Sequence, residues 1–80
     1  MGVLKFSAGW CQPCKMLSKT LESIDYEDIS NIDIDERPDL AQKYRVRGVP
    51  TLIKVDKEGI EVSRVVGAQT QAKLEEWLSE

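Results

Sequence analysis

Between its glycines and prolines, the hydrophobic pattern of this chain changes period in an orderly way. That order leaves few folds open. Val3-Leu4-Lys5-Phe6 is a short, mostly apolar run, predicting a strand buried on both faces and interrupted by one charge. Ser7 to Trp10 reads as a loop. From Cys11 to about Ser23 the pattern turns helical. Leu17, Leu21 and Ile24 fall at i, i+4, i+7, with Met16 and Thr20 beside them, and Pro13 suits the first turn. Ile29, Ile32 and Ile34 mark a second β-like stretch. Pro38 opens a shorter helix through about Tyr44, with Leu40, Ala41 and Tyr44 as its inner side. Thr51 to Val55 reads as a strand, Asp56-Lys57-Glu58-Gly59 as a hairpin turn, and Ile60 to Val66 as the returning strand, ended by Gly67. Thr70 caps a last helix with Leu74, Trp77 and Leu78 at i, i+3, i+4. The predicted order is β-α-β-α-β-β-α. The first two strands should pair in parallel and the last two as an antiparallel hairpin, with three helices covering both faces of one four-stranded mixed sheet.

The 80 residues suit one domain, over 1–80. Apolar residues make up 41% and charged residues 31%, as in ordinary globular chains. The net charge of −3 argues against nucleic-acid binding, which wants a basic face. No apolar run is long enough to span a membrane, and the N-terminus lacks the pattern of a secretory signal. Histidine is absent, which removes the commonest metal ligand and general base and excludes protease arrangements that need it. Arg37, Lys43, Arg45 and Arg47 make a basic stretch, and Glu22 to Glu36 carries seven acidic residues and no basic ones before Arg37. Both read as solvated faces.

Only two cysteines are present, Cys11 and Cys14, separated by Gln12 and Pro13. A bridge across so short a loop removes little chain entropy and is a poor staple. The predicted topology sets the pair at the head of the first helix, where N–H groups lack helical partners and the macrodipole is positive. Both features stabilise a thiolate. Cys11, at the cap, should have the lower pKa, and Cys14, inside the first turn, should be less exposed. Cys11 can attack a substrate disulfide, and Cys14 can resolve the mixed disulfide. Lys15 adds positive charge nearby. The competing reading is half a zinc site, but the chain holds no further Cys or His, so a metal would need a second chain. Unreactive core cysteines are the other alternative. No metal is expected.

Trp10-Cys11-Gln12-Pro13-Cys14-Lys15-Met16 resembles the active-site segment of thioredoxins. Phe6-Ser7-Ala8, Asn31-Ile32-Asp33-Ile34-Asp35, Arg47-Gly48-Val49-Pro50-Thr51-Leu52 and Val66-Gly67-Ala68 match in the same order. The resemblance runs from about Val3 to the C-terminus. It implies a minimal thioredoxin fold, thiol–disulfide exchange, and a cis Val49–Pro50 bond with Pro50 facing the cysteines. Four departures stand out. The family's opening strand and helix are expected to be absent. Gln12 replaces the usual glycine. The family's buried acid falls on Lys5, and the lysine that accompanies it falls on Asn31.

Trp10 is expected to shape the substrate surface, and Trp77 to pack in the core. Pro50 is expected to keep backbone open at Val49 for an extended substrate peptide and to keep metal off the thiols; otherwise it is an edge proline. Gly67 either lets backbone approach the site or is an ordinary loop glycine. Lys5 either carries its head to solvent or sits beneath Cys14 and tunes that thiol. The expected function is a cytoplasmic, monomeric dithiol oxidoreductase that reduces protein disulfides. It needs no bound cofactor and is re-reduced by an NADPH-dependent thioredoxin reductase. The alternatives are a glutaredoxin-like protein re-reduced by glutathione and a binding subunit with idle thiols. Val66-Gly67-Ala68, where a glutaredoxin would carry Gly-Gly, and the Trp-Cys-x-Pro-Cys form favour the first.

Overall fold

A computed structural model describes residues 2–80. The elements are β1 (Gly2–Ser7), α1 (Gln12–Glu22), β2 (Ile29–Asp33), α2 (Pro38–Lys43), β3 (Thr51–Val55), β4 (Glu61–Val66) and α3 (Gln71–Ser79). The sheet order is β2-β1-β3-β4. β1 and β2 are parallel, with Lys5 opposite Asn31, while β1–β3 and β3–β4 are antiparallel. The predicted order and mixed sheet are therefore present, with ends differing by one or two residues. No helix among the described residues is long and apolar enough to cross a membrane.

Alternation along the strands builds two apolar layers. On one face Val3 and Leu52 meet Leu17 of α1 and Leu74 and Trp77 of α3, with Leu21, Ile24 and Val65 against them. On the other, Phe6, Ile32, Ile53 and Val55 pack with Leu40, Tyr44 and Val46 around α2. Each fully buried Leu, Ile or Phe contributes roughly 1.5–3 kcal/mol of transfer free energy. β3 lies between two partners and under both layers, so all five of its residues are buried.

Met16 departs from the expected stripe and is 65% exposed. The buried side of α1 runs instead through Cys14, Leu17 and Leu21, which turns Met16 outward. α2 buries no residue fully, because Leu40, Ala41 and Tyr44 only flank its apolar layer. The hairpin turn is held by the Asp56 carboxylate, which accepts the N–H groups of Glu58 and Ile60 at 2.9 Å each. Gly59, at φ 80°, completes it.

Candidate active site

β1 ends at Ser7, and a short loop carries the chain over the sheet edge into α1. The loop closes on itself through the Cys11 N–H, donated to the Ala8 carbonyl at 3.1 Å. Cys11 is the N-cap of α1, with extended backbone, and its Sγ accepts the Cys14 N–H at 3.1 Å. The cap role that Ser, Thr, Asp or Asn usually fills is thus taken by sulfur. Pro13, in the first turn, has no N–H to satisfy. A disulfide joins Cys11 to Cys14, with Cα atoms 5.2 Å apart.

The expected contrast in exposure between the cysteines is not observed. Cys11 is 4% and Cys14 3% exposed. Both pack against Ala8, Ile34 and Val49, so the oxidised pair is covered by loop and strand-end residues as well as by the helix. Gln12, Pro13 and Lys15 are exposed around it.

The Val49–Pro50 bond is cis, and Pro50 is fully buried. Thr51 Oγ1 donates to the Gly48 carbonyl at 2.7 Å, and the Gly67 N–H donates to the Pro50 carbonyl at 2.8 Å. These bonds hold the turn before β3 against the end of β4. Val49 makes no backbone hydrogen bond among the described residues. Gly67 has φ 85°, and a Cβ there would meet nothing within 4 Å. Backbone conformation, not close approach, therefore calls for glycine at this position.

Trp10 is 68% exposed beside the cysteines, and its Nε1 donates to Asp35 Oδ2 at 3.1 Å. Asp35 follows β2, whose end is tied to β1 by the Ile34 N–H on the Ser7 carbonyl at 3.0 Å. Asp35 and Ile34 belong to the motif of similarity, but no local pattern in the sequence assigned them to Trp10 or to the cysteines.

Lys5 is buried on the α1 face of β1, at 8% exposure. Its Nζ donates to Ser18 Oγ on α1. Lys5 lines an open groove together with Ser18, Leu21, Glu22, Ile29 and Asn31. Burial pushes the Lys5 amine below the usual lysine range, and Glu22 pulls it partly back. The lysine therefore does not run out to bulk solvent. Ser18 had no sequence signal beyond standing four residues after Cys14.

Comparison with known proteins agrees with this geometry. The thioredoxin family model matches residues 1–80. The chain is 47% identical to thioredoxin from Staphylococcus aureus over 81 aligned positions, covering 95% of this chain and 77% of that protein. Its fold superimposes on a thioredoxin variant from Halobacterium salinarum with a TM-score of 0.84 at 39% identity, over 96% of this chain and 70% of the other. It also matches oxidised mitochondrial thioredoxin 3 from Saccharomyces cerevisiae, with a TM-score of 0.78 at 32% identity, over 96% and 74% of the two chains. Proteins of this kind act on disulfide-containing proteins, draw electrons from a reductase and carry no bound cofactor. With sequence, fold and dithiol all in agreement, this chain belongs to the thioredoxin family and is a thiol–disulfide oxidoreductase.

Proposed function

We propose that Cys11 is the attacking thiolate and Cys14 the resolving thiol of a reductant of protein disulfides. On this reading an NADPH-dependent thioredoxin reductase, rather than glutathione, restores the dithiol. The protein acts as a monomeric domain over residues 1–80 in the cytoplasm, a compartment that keeps thiols reduced. The observation that supports the cysteine roles most directly is the Cys14 N–H donated to Cys11 Sγ at the head of α1. A sulfur that accepts a helix N-terminal N–H is better placed to hold negative charge, which favours ionisation of Cys11 over Cys14.

Cys11 Sγ attacks one sulfur of the substrate disulfide, and the other leaves as a thiolate. Cys14 then attacks Cys11, forming the internal disulfide and releasing the second substrate thiol. Trp10, Val49, Pro50 and Gly67 serve as the platform for the substrate chain. The unpaired backbone of Val49 supports this, since an extended peptide can satisfy those groups. Gln12, Pro13 and Lys15 border the attacked sulfur.

Insulin-disulfide reduction tests the reading. Turnover is expected with thioredoxin reductase and NADPH. Turnover only with glutathione and its reductase would overturn the choice of donor, and none with either would overturn the reductant role. Pulse alkylation of the reduced protein near neutral pH should label Cys11 before Cys14. Cys14→Ser should accumulate mixed disulfides through Cys11, and accumulation in Cys11→Ser instead would reverse the two roles.

A further inference from the structure

Cys14 is 3% exposed and surrounded by Ala8, Ile34 and Val49. Burial among apolar groups raises a thiol's pKa, so some other group must make the resolving thiolate accessible. The Cys14 N–H serves the Cys11 sulfur, not its own. The group that answers this need lies on the sheet side of α1. Ser18 stands four residues after Cys14, on the same side of the helix, where side chains one turn apart have Cβ atoms about 5–6 Å from each other. Lys5 Nζ is hydrogen-bonded to that serine, and the residue is buried.

We propose that Lys5, held in place by Ser18, is a positioning residue whose ammonium stabilises the Cys14 thiolate during resolution of the mixed disulfide. The proposal rests on the exchange reaction above and adds the device that ionises its second thiol. The Cys14 proton passes to solvent as the thiolate forms. The Cys14 thiolate then attacks Cys11 Sγ. The Cys11–Cys14 bond forms as the bond from Cys11 to the substrate sulfur breaks, and the departing substrate thiolate takes up a proton. The dithiol loses two electrons, and the substrate disulfide gains them.

The charges that face this site are few. α1 contributes Glu22, which bears on Lys5 with opposite sign, and Lys15, which follows Cys14 but is exposed to solvent. β2 contributes the uncharged Asn31. Lys54 on β3 lies on the same face, but its Nζ is committed to the Trp77 carbonyl at 2.6 Å. α3 presents Leu74 and Trp77. Lys5 is thus the buried cation bonded to α1 one turn after Cys14. Burial already disfavours its charged form, so a thiolate arriving nearby stabilises the ammonium as the ammonium stabilises the thiolate.

The test is the titration of Cys14 in a Cys11→Ser background, followed by thiolate ultraviolet absorbance, with far-UV circular dichroism as a check on folding. Lys5→Met, which keeps the buried stem, should raise the Cys14 pKa by about one unit, a tenfold loss of thiolate near neutral pH. Lys5→Arg should restore most of the shift, and Ser18→Ala should show part of the rise. Lys5→Asp should raise the pKa further than Lys5→Met. An unchanged Cys14 pKa in Lys5→Met, or equal values in Lys5→Met and Lys5→Arg, would overturn the proposal. If the shifts appear while wild-type protein fails to reduce insulin, the reductant role falls and this inference stands. Insulin reduction with an unmoved pKa has the opposite meaning.

Discussion

Lys54 sits on the central strand with 3% of its surface exposed, a position where an unpaired ammonium would be costly. Its Nζ donates to the Trp77 carbonyl at 2.6 Å and lies 4.8 Å from the centre of the Trp77 ring. α3 has no basic residue in its own last turn, so the sheet supplies the cation that complements the negative end of the helix. Trp77 is fixed from its other end by Nε1, which donates to Ser63 Oγ at 2.9 Å. Lys54→Met keeps the stem and removes the charged bond, and should lower stability by about 1–2 kcal/mol. Lys54→Ala also leaves a void and should cost about 1 kcal/mol more. Thermal denaturation reads both, at roughly 4–8 °C per kcal/mol for a domain of this size. Equal stability in all three proteins would mean that the bond contributes nothing.

At the scale of elements, the end of α2 is the place where local sequence and backbone disagree. Arg45 adopts φ 54°, in the left-handed region. Its N–H donates to the Gln42 carbonyl at 3.1 Å, and the Val46 N–H reaches the Ala41 carbonyl at 2.8 Å. This is the Schellman arrangement, in which the residue after the C-cap is usually glycine. A side chain in that conformation costs roughly 1–2 kcal/mol, while glycine would lose roughly 0.5–1 kcal/mol more entropy on folding. Arg45→Gly is therefore expected to raise stability by about 0.5–1 kcal/mol in urea denaturation, with both terminal hydrogen bonds intact. A loss of stability would show that the arginine side chain holds the turn in some other way. The reversal after α2 sets Val46 against the Phe6–Ile53 layer and leads the chain to Val49 and Pro50.

In the molecule as a whole, one sheet face carries both buried lysines, and each is answered by a helix: Lys54 by the end of α3, Lys5 by the middle of α1. Lys5 makes stability depend on pH in a direction that can be worked out. Its pKa is depressed in the folded chain and returns to the ordinary lysine value on unfolding. Between those two values the unfolded chain binds more protons, so its contribution to stability rises with pH. Below the depressed value the desolvation penalty is present in full. Relative to Lys5→Met, the oxidised wild type should therefore gain stability as pH rises toward the ordinary lysine value. Taking the difference between the two proteins cancels the groups they share. A difference that is flat with pH, or that moves against the wild type, would mean that the amine is solvated like an ordinary surface lysine.

Most of the fold was legible because it rests on local patterns. The switch between period two and period 3.6, the glycines and prolines between elements, and the Cys-Gln-Pro-Cys spacing are all readable within a dozen residues. They placed seven elements and the dithiol, and the separated motifs of similarity identified the family. Met16 lies outside the buried stripe because a short amphipathic helix leaves its phase open by one position, and the layer it meets sets that phase. The near-equal burial of Cys11 and Cys14 depends on Ile34 and Val49, which come from distant segments. Asp35 meets Trp10, Ser18 meets Lys5 and Trp77 meets Lys54 across separations of 25, 13 and 23 residues, which no periodicity encodes. The order of elements, the two-layered core and the chemistry available at the head of α1 follow from the chain alone, because hydrophobic period, capping and thiol reactivity are properties of neighbours along it. Whether Lys5 faces water or α1, and what each buried amine is bonded to, depends on packing between distant segments. A charge inside a protein takes its energy from the groups that surround it in space, and those groups come together only when the sheet closes against its helices.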